Sequence, residues 1–143
     1  RDTASLQKAI GLWSRDPASV EADHGPISEW TTCRVTDFSN LFNNAFRFNA
    51  DLSGWDTGRA TSMDMMFRDA YAFNGDISDW DVAEVRFMSE MFSAARALQG
   101  NAGQMALFAS SFDVDLSQWD VSKVTTAYRM FYNARSFDRT LRW

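Results

Sequence analysis

Apolar and polar positions along the chain repeat with a step of 25 residues. Trp30, Trp55 and Trp80 keep that step, as do Ile27, Leu52 and Ile77, then Phe42, Phe67 and Phe92, then Ala45, Ala70 and Ala95. The stretch Phe48 to Asp56 returns as Phe73 to Asp81 and again as Phe112 to Asp120. The last step, Trp80 to Trp119, is longer by 14 residues, and the surplus lies between Leu98 and Phe112, either of which fits the same slot. An incomplete unit closes the sequence: Leu141 is in register and Trp143 comes one residue early. Self-similarity at this period signals stacked supersecondary units, none of which buries its apolar face alone.

The second half of each unit carries apolar residues at Val35, Phe38, Leu41, Phe42, Ala45 and Phe48, with copies beginning at Ala60, Val85 and Val124. Offsets of 3, 6, 7, 10 and 13 trace one face of an α-helix. Thr36, Thr61 and Thr125 stand where a hydroxyl caps such a helix. Arg86 interrupts that series, so the third helix should start less firmly. The first half, Asp51 to Thr57 and its copies, reads as a short strand and a turn. The expected fold class is therefore α/β: a short leucine-rich-repeat-like solenoid, with parallel strands on one side and helices on the other. Residues 1–26 do not repeat. Leu6, Ala9, Ile10 and Trp13 have helical spacing that Asp16-Pro17 ends, which predicts an N-terminal helical cap. Residues 27–143 form the repeat region, about four units plus the incomplete one, with an insertion near 99–111. No matching cap follows Trp143, so continuation of the chain or a partner should cover that end.

The unit Phe-Asn-x-Asp-Ile/Leu-Ser-x-Trp-Asp, followed by Val-Thr-x-Met-x-x-Met-Phe-x-x-Ala-x-x-Phe, resembles the BspA-like leucine-rich repeat family, of the domain-of-unknown-function type. Phe73 to Leu98 is its best copy, and the leader Leu6 to Trp13 with Gly25 to Trp30 is similar to the start of such arrays in microbial eukaryotes, including algae. Thr31, Arg86, Ala127 and the insertion depart from the pattern. The resemblance implies cell-surface or secreted proteins that bind other proteins, with no shared catalytic residues.

Composition narrows the function classes. Net charge is −5, with 14 basic and 19 acidic side chains, which argues against a nucleic-acid binder. The longest apolar run, Met105 to Ala109, is too short to span a membrane. One cysteine excludes an internal disulfide framework. His24 and Cys33 are each the sole residue of their kind, and read as structural rather than as a nucleophile–base pair. Asp51, Asp76 and Asp115, and Asp56, Asp81 and Asp120, recur at fixed slots. They read as turn-forming carboxylates, with a calcium ladder as the alternative. Asn49 and Asn74, with Asp113 and Asp138 in their slot, read as a polar ladder that satisfies loop backbone. No catalytic, cofactor-binding or metal-ligating residue is assigned.

These features point to a non-catalytic protein–protein interaction module. It would be a structural or accessory subunit of a larger assembly, a membrane-associated complex included, at an organelle lumen or membrane periphery, or a recognition region at the cell surface. The candidate partner interface is Met105, Leu107 and Phe108 of the insertion, with Leu141 and Trp143 at the open end. Homo-oligomerisation through that end is one alternative. A carbohydrate-binding or adhesive domain with an exposed tryptophan stripe is another.

Overall fold

The structure, a computed structural model, describes residues 2–95 and 110–143. Its two α-helices lie in the first 26 residues, α1 (Thr3–Trp13) and α2 (Pro17–His24). Asp2 caps α1: its carboxylate accepts the Ser5 N–H while the Ser5 hydroxyl accepts the Asp2 N–H, a reciprocal capping box. Asp16 caps α2 with Pro17 in the first turn, where the missing N–H costs nothing. Leu6, Ala9 and Ile10 point α1 into the core, and Trp13 meets Phe48 edge-on at 5.6 Å. Glu21 of α2 ties the pair down, accepting from the Trp13 indole and from the Ile27 N–H. A short 3-10 turn, Ile27–Glu29, leads into the repeats.

The expected α/β solenoid is not what the repeats form. Among the described residues after Glu29 there is no α-helix, and no strand occurs anywhere in them. Parallel pairing is confined to isolated bridges that join Asp37 to Ser62, Ser62 to Phe87, and Phe87 to Thr126. These lie in the half expected to be helical. The half expected to be strand is a succession of tight turns, such as the one closed by the Trp55 N–H on the Leu52 carbonyl.

The backbone hydrogen bonds give the physical reason. In a helix every N–H bonds back within its own segment. Here alternate residues do so: Leu41, Asn43 and Ala45 donate to the carbonyls of Phe38, Asn40 and Phe42. The residues between them donate forward to the next unit: Phe38, Asn40, Phe42 and Asn44 to the carbonyls of Ser62, Asp64, Met66 and Arg68. The same rows join Met63, Met65, Phe67 and Asp69 to the third unit, and Met88, Glu90, Phe92 and Ala94 to the fourth. Such a chain must reverse its sense repeatedly. Asn40, Asn44, Met65, Asp69, Glu90, Arg129 and Asn133 accordingly sit at φ of 52–62°, in the left-handed region. Turns closed three residues apart place Phe38, Leu41, Phe42, Ala45 and Phe48 inward at nearly the spacing of a helical face. The apolar pattern alone therefore could not separate the two. The threonines expected to cap helices bond between units instead: the Thr61 and Thr125 hydroxyls donate to the Thr36 and Arg86 carbonyls.

The core is built of columns. Phe42, Phe67, Phe92 and Phe131 stack face to face at 5.5–5.8 Å. Phe48, Phe73, Phe112 and Phe137 form a second column at 5.8–6.1 Å. The two columns meet within each unit at 3.9–4.2 Å. Phe112 fills the slot that the sequence assigns to it; Leu98, which fits the same slot, lies outside the described residues. Leu52, Ile77 and Leu116 form a buried aliphatic column, and Met63, Met66, Met88 and Met91 fill the space beside it.

Candidate interaction surface

Three tryptophans of the repeat are buried clamps between units. The Trp55, Trp80 and Trp119 indoles donate to the carbonyls of Ile27, Leu52 and Ile77, at 2.8–3.1 Å. Trp30, Trp55, Trp80 and Trp119 are all at most 4% exposed, so they cannot form an exposed stripe. The threonines at Thr32 and Thr57, which the sequence did not single out, repeat the device: each buried hydroxyl donates to the carbonyl of the residue 24 further on, Asp56 or Asp81. Only comparison of the two halves of adjacent units would have exposed that pairing.

The recurrent aspartates hold turns. Asp51, Asp76 and Asp115 each accept the N–H of the serine two residues on, and Asp56, Asp81 and Asp120 do the same for Gly58, Ala83 and Ser122. For Asp51 and Asp115 the serine N–H, then its hydroxyl, holds the carboxyl below its ordinary value of 3.8; for Asp76 and Asp120 the serine hydroxyl comes first. Among the described residues no His, Cys, Asp and Glu gather in a group able to hold a metal ion. The Asn49 ladder is present as expected from its repeats: the side chains of Asn49, Asn74 and Asp113 accept the N–H of Asn74, Asp113 and Asp138 in turn. Cys33 and His24 are both exposed.

The two ends of the stack differ. At the first unit, α1 lies across the edge, and the Thr3 hydroxyl accepts the N–H groups of Thr36 and Asp37. A groove of about 550 Å³ remains beside it, between Ile10 and Trp13 and the turn from Leu41 to Phe48. At the last unit the forward-facing N–H groups are those of Ala127, Arg129, Phe131 and Asn133, by register with Met88, Glu90, Phe92 and Ala94. None of the four has a hydrogen-bond partner among the described residues.

The predicted interface residues fall at this second end or outside the described residues. Leu141 is half-buried against the core. Trp143 is 46% exposed, yet it stacks parallel to Trp119 at 6.4 Å and donates to the Leu116 carbonyl. Its early arrival in the sequence does not prevent it from joining the tryptophan column. Met105, Leu107 and Phe108 lie outside the described residues. The last unit, from Phe112 onward, carries five basic residues, Lys123, Arg129, Arg135, Arg139 and Arg142, against Asp113, Asp115, Asp120 and Asp138, and Lys123 pairs with Glu84 of the preceding unit. Arg139 is engaged with Asp113 at 2.9 Å, and Arg129 lies over the rings of Tyr128 and Tyr132, about 5 Å from each centroid. Arg135 and Arg142 are exposed, and Arg142 lies in a polar groove with Asp115, Ser117 and Asp138.

A family model described as Mycoplasma protein of unknown function, DUF285, matches residues 13–107 and 100–143. No curated protein and no solved structure matches the chain.

Proposed function

The chain belongs to the DUF285 family, and from that premise we propose that it is a non-catalytic protein–protein interaction module, acting as a structural or accessory subunit of a larger assembly. One observation carries the reading. The first edge of the stack is covered by α1, while the last presents four backbone donors without partners among the described residues, beside half-exposed Phe131, Leu141 and Trp143. Backbone polar groups at an edge beside apolar surface are a template for another chain. The resemblance of the repeat to BspA-like proteins, which bind other proteins at surfaces, supports the same class. The reading that needs an exposed tryptophan stripe for sugars has no comparable support, because four of its tryptophans are clamped in the core.

The test is the native size of the particle that carries this chain, by gel filtration of a gentle extract with an antibody to the chain. Elution well above the chain's 16.3 kDa, with other proteins at fixed stoichiometry, is the expected result. Elution as the free chain would overturn it.

A further inference from the structure

Asparagine is a thermolabile residue. Its side-chain amide is lost when the backbone nitrogen of the next residue attacks Cγ and closes a succinimide ring. The reaction needs that nitrogen free of a hydrogen bond, an unhindered approach, and an amide group able to leave. The structure separates the asparagines of this chain on these points. Leu41, Asn44, Ala45 and Ala134, which follow Asn40, Asn43, Asn44 and Asn133, donate their N–H groups to the carbonyls of Phe38, Arg68, Phe42 and Phe131. Each would have to leave the turn ladder to react. Among the described residues, Asn49 and Asn74 alone precede an N–H without a partner, that of Ala50 and that of Gly75. Both asparagine side chains are exposed, and their Nδ2 groups donate to no described residue.

The two sites differ at the attacking residue. Ala50 carries a Cβ beside its nitrogen, whereas Gly75 has none and keeps more backbone freedom. Asn74-Gly75 is the sole Asn-Gly pair in the sequence. The polar ladder assists as well. The Asp113 nitrogen donates to Asn74 Oδ1 at 2.9 Å, which is where negative charge develops as Cγ is attacked. We propose that Asn74 is a site of spontaneous modification, converted through a succinimide to aspartate and isoaspartate. The Gly75 nitrogen gives its proton to hydroxide and bonds to Cγ. The Cγ–Nδ2 bond breaks, and the amide nitrogen takes a proton from water and leaves as ammonia. Water then opens the ring. Cleavage between Cγ and the Gly75 nitrogen gives aspartate. Cleavage between that nitrogen and the Asn74 carbonyl carbon gives isoaspartate, whose main chain runs through Cγ.

The stack distinguishes the two products. Asp113 fills the same slot in the following unit, and its carboxylate accepts the Asp138 N–H as Asn74 accepts that of Asp113. Aspartate at 74 therefore keeps the ladder. Isoaspartate adds an atom to the main chain and moves the ladder's acceptor. The surroundings leave little slack for it: a Cβ placed on Gly75 would meet the Phe73 ring at 3.0 Å and the Ala50 carbonyl oxygen at 3.4 Å. Phe73 is itself fixed between Phe48 and Phe112 in its column. The proposal stands independently of the interaction-module reading.

The experiment incubates the folded full chain in mildly alkaline buffer, well below its Tm. Peptides from timed samples are read by mass spectrometry, with aspartate and isoaspartate separated by chromatography. The expected result is conversion at Asn74 to both products, faster as pH rises because the attacking nitrogen must lose its proton. Asn49 should convert more slowly, and Asn40, Asn43, Asn44 and Asn133 should stay intact. The isoaspartate form should melt lower than the fresh chain and lose hydrogen-exchange protection at the Asp113 amide, whereas Asn74→Asp should melt with the fresh chain. Conversion at Asn74 only after unfolding in urea would overturn the proposal, because the fold would then protect the site. Conversion at Asn49 as fast as at Asn74 would overturn the role given to Gly75. An isoaspartate form as stable as Asn74→Asp would refute the difference between the products.

Discussion

Met65 distinguishes the observed architecture from the helix its sequence suggests, through a pair of substitutions whose order of stability reverses between the two. Met65 holds φ at 54°, half-buried, with its N–H bonded forward to the Ser89 carbonyl. Met65→Ala and Met65→Gly remove the same side-chain contacts, so their difference isolates the backbone. In the left-handed region a Cβ crowds the following carbonyl at a cost of about 1–2 kcal/mol, which glycine escapes. Glycine also loses more freedom on folding, so the net advantage of Met65→Gly over Met65→Ala should be about 1 kcal/mol. In a helix the order would be opposite, with glycine worse than alanine by about 0.8–1.0 kcal/mol. The two architectures thus differ by about 2 kcal/mol in this one comparison. For a chain of this size 1 kcal/mol moves the melting temperature by about 2–4 °C, and urea denaturation gives the same order directly. Glu90, at the same slot of the next unit with φ 54°, provides an independent repeat. If the alanine variant proved the more stable at both sites, the turn ladder described here would be wrong.

Other expectations follow from the columns and the clamps. Phe67→Ala removes a ring that is 3% exposed and stacked on Phe42, Phe73 and Phe92; it should cost about 4 kcal/mol, a fall of roughly 8–16 °C in Tm by calorimetry. Trp80→Phe keeps most of the apolar surface but deprives the Leu52 carbonyl of its indole donor, and should cost about 1–3 kcal/mol in chemical denaturation. Asp51, Asp76, Asp115 and Asp120 have carboxyl values lowered in the folded chain, so the stability they contribute is fully present above the ordinary value of 3.8 and is lost as pH falls through their lowered values. Melting curves should lose this contribution on acidification below that value, and Asp76→Asn should blunt the acid limb. An acid limb that Asp76→Asn leaves unchanged would count against the turn-holding role.

Much of this molecule was legible in its sequence. The 25-residue step, the slot shared by Phe42, Phe67, Phe92 and Phe131, the turn aspartates and the Asn49 ladder all depend on like residues recurring at the same place in each unit, and recurrence at a fixed step is visible in one dimension. The first helix was legible too, because Leu6, Ala9, Ile10 and Trp13 face one way and Asp16-Pro17 stops the run. At the candidate interface, Leu141 and Trp143 could be read as part of an incomplete unit, whereas the stacking of Trp143 on Trp119 was not legible, because Trp143 stands one residue out of register.

The conformation of the repeat, by contrast, belongs to the tertiary structure. Phe38, Leu41, Phe42, Ala45 and Phe48 suit one face of a helix as well as the inner side of a turn ladder, and an isolated segment would have no other place for its N–H groups than its own carbonyls. Stacking adds a second set of acceptors, the carbonyls of Ser62, Asp64, Met66 and Arg68, and half of the donors turn outward to meet them. That exchange puts Met65, Glu90 and Arg129 into the left-handed region, against their own preference. It also gives the stack a direction, leaving the donors of Ala127, Arg129, Phe131 and Asn133 without partners among the described residues. The sequence determines that the units match; only their contact in three dimensions decides which hydrogen bonds each unit keeps and which it gives to its neighbour.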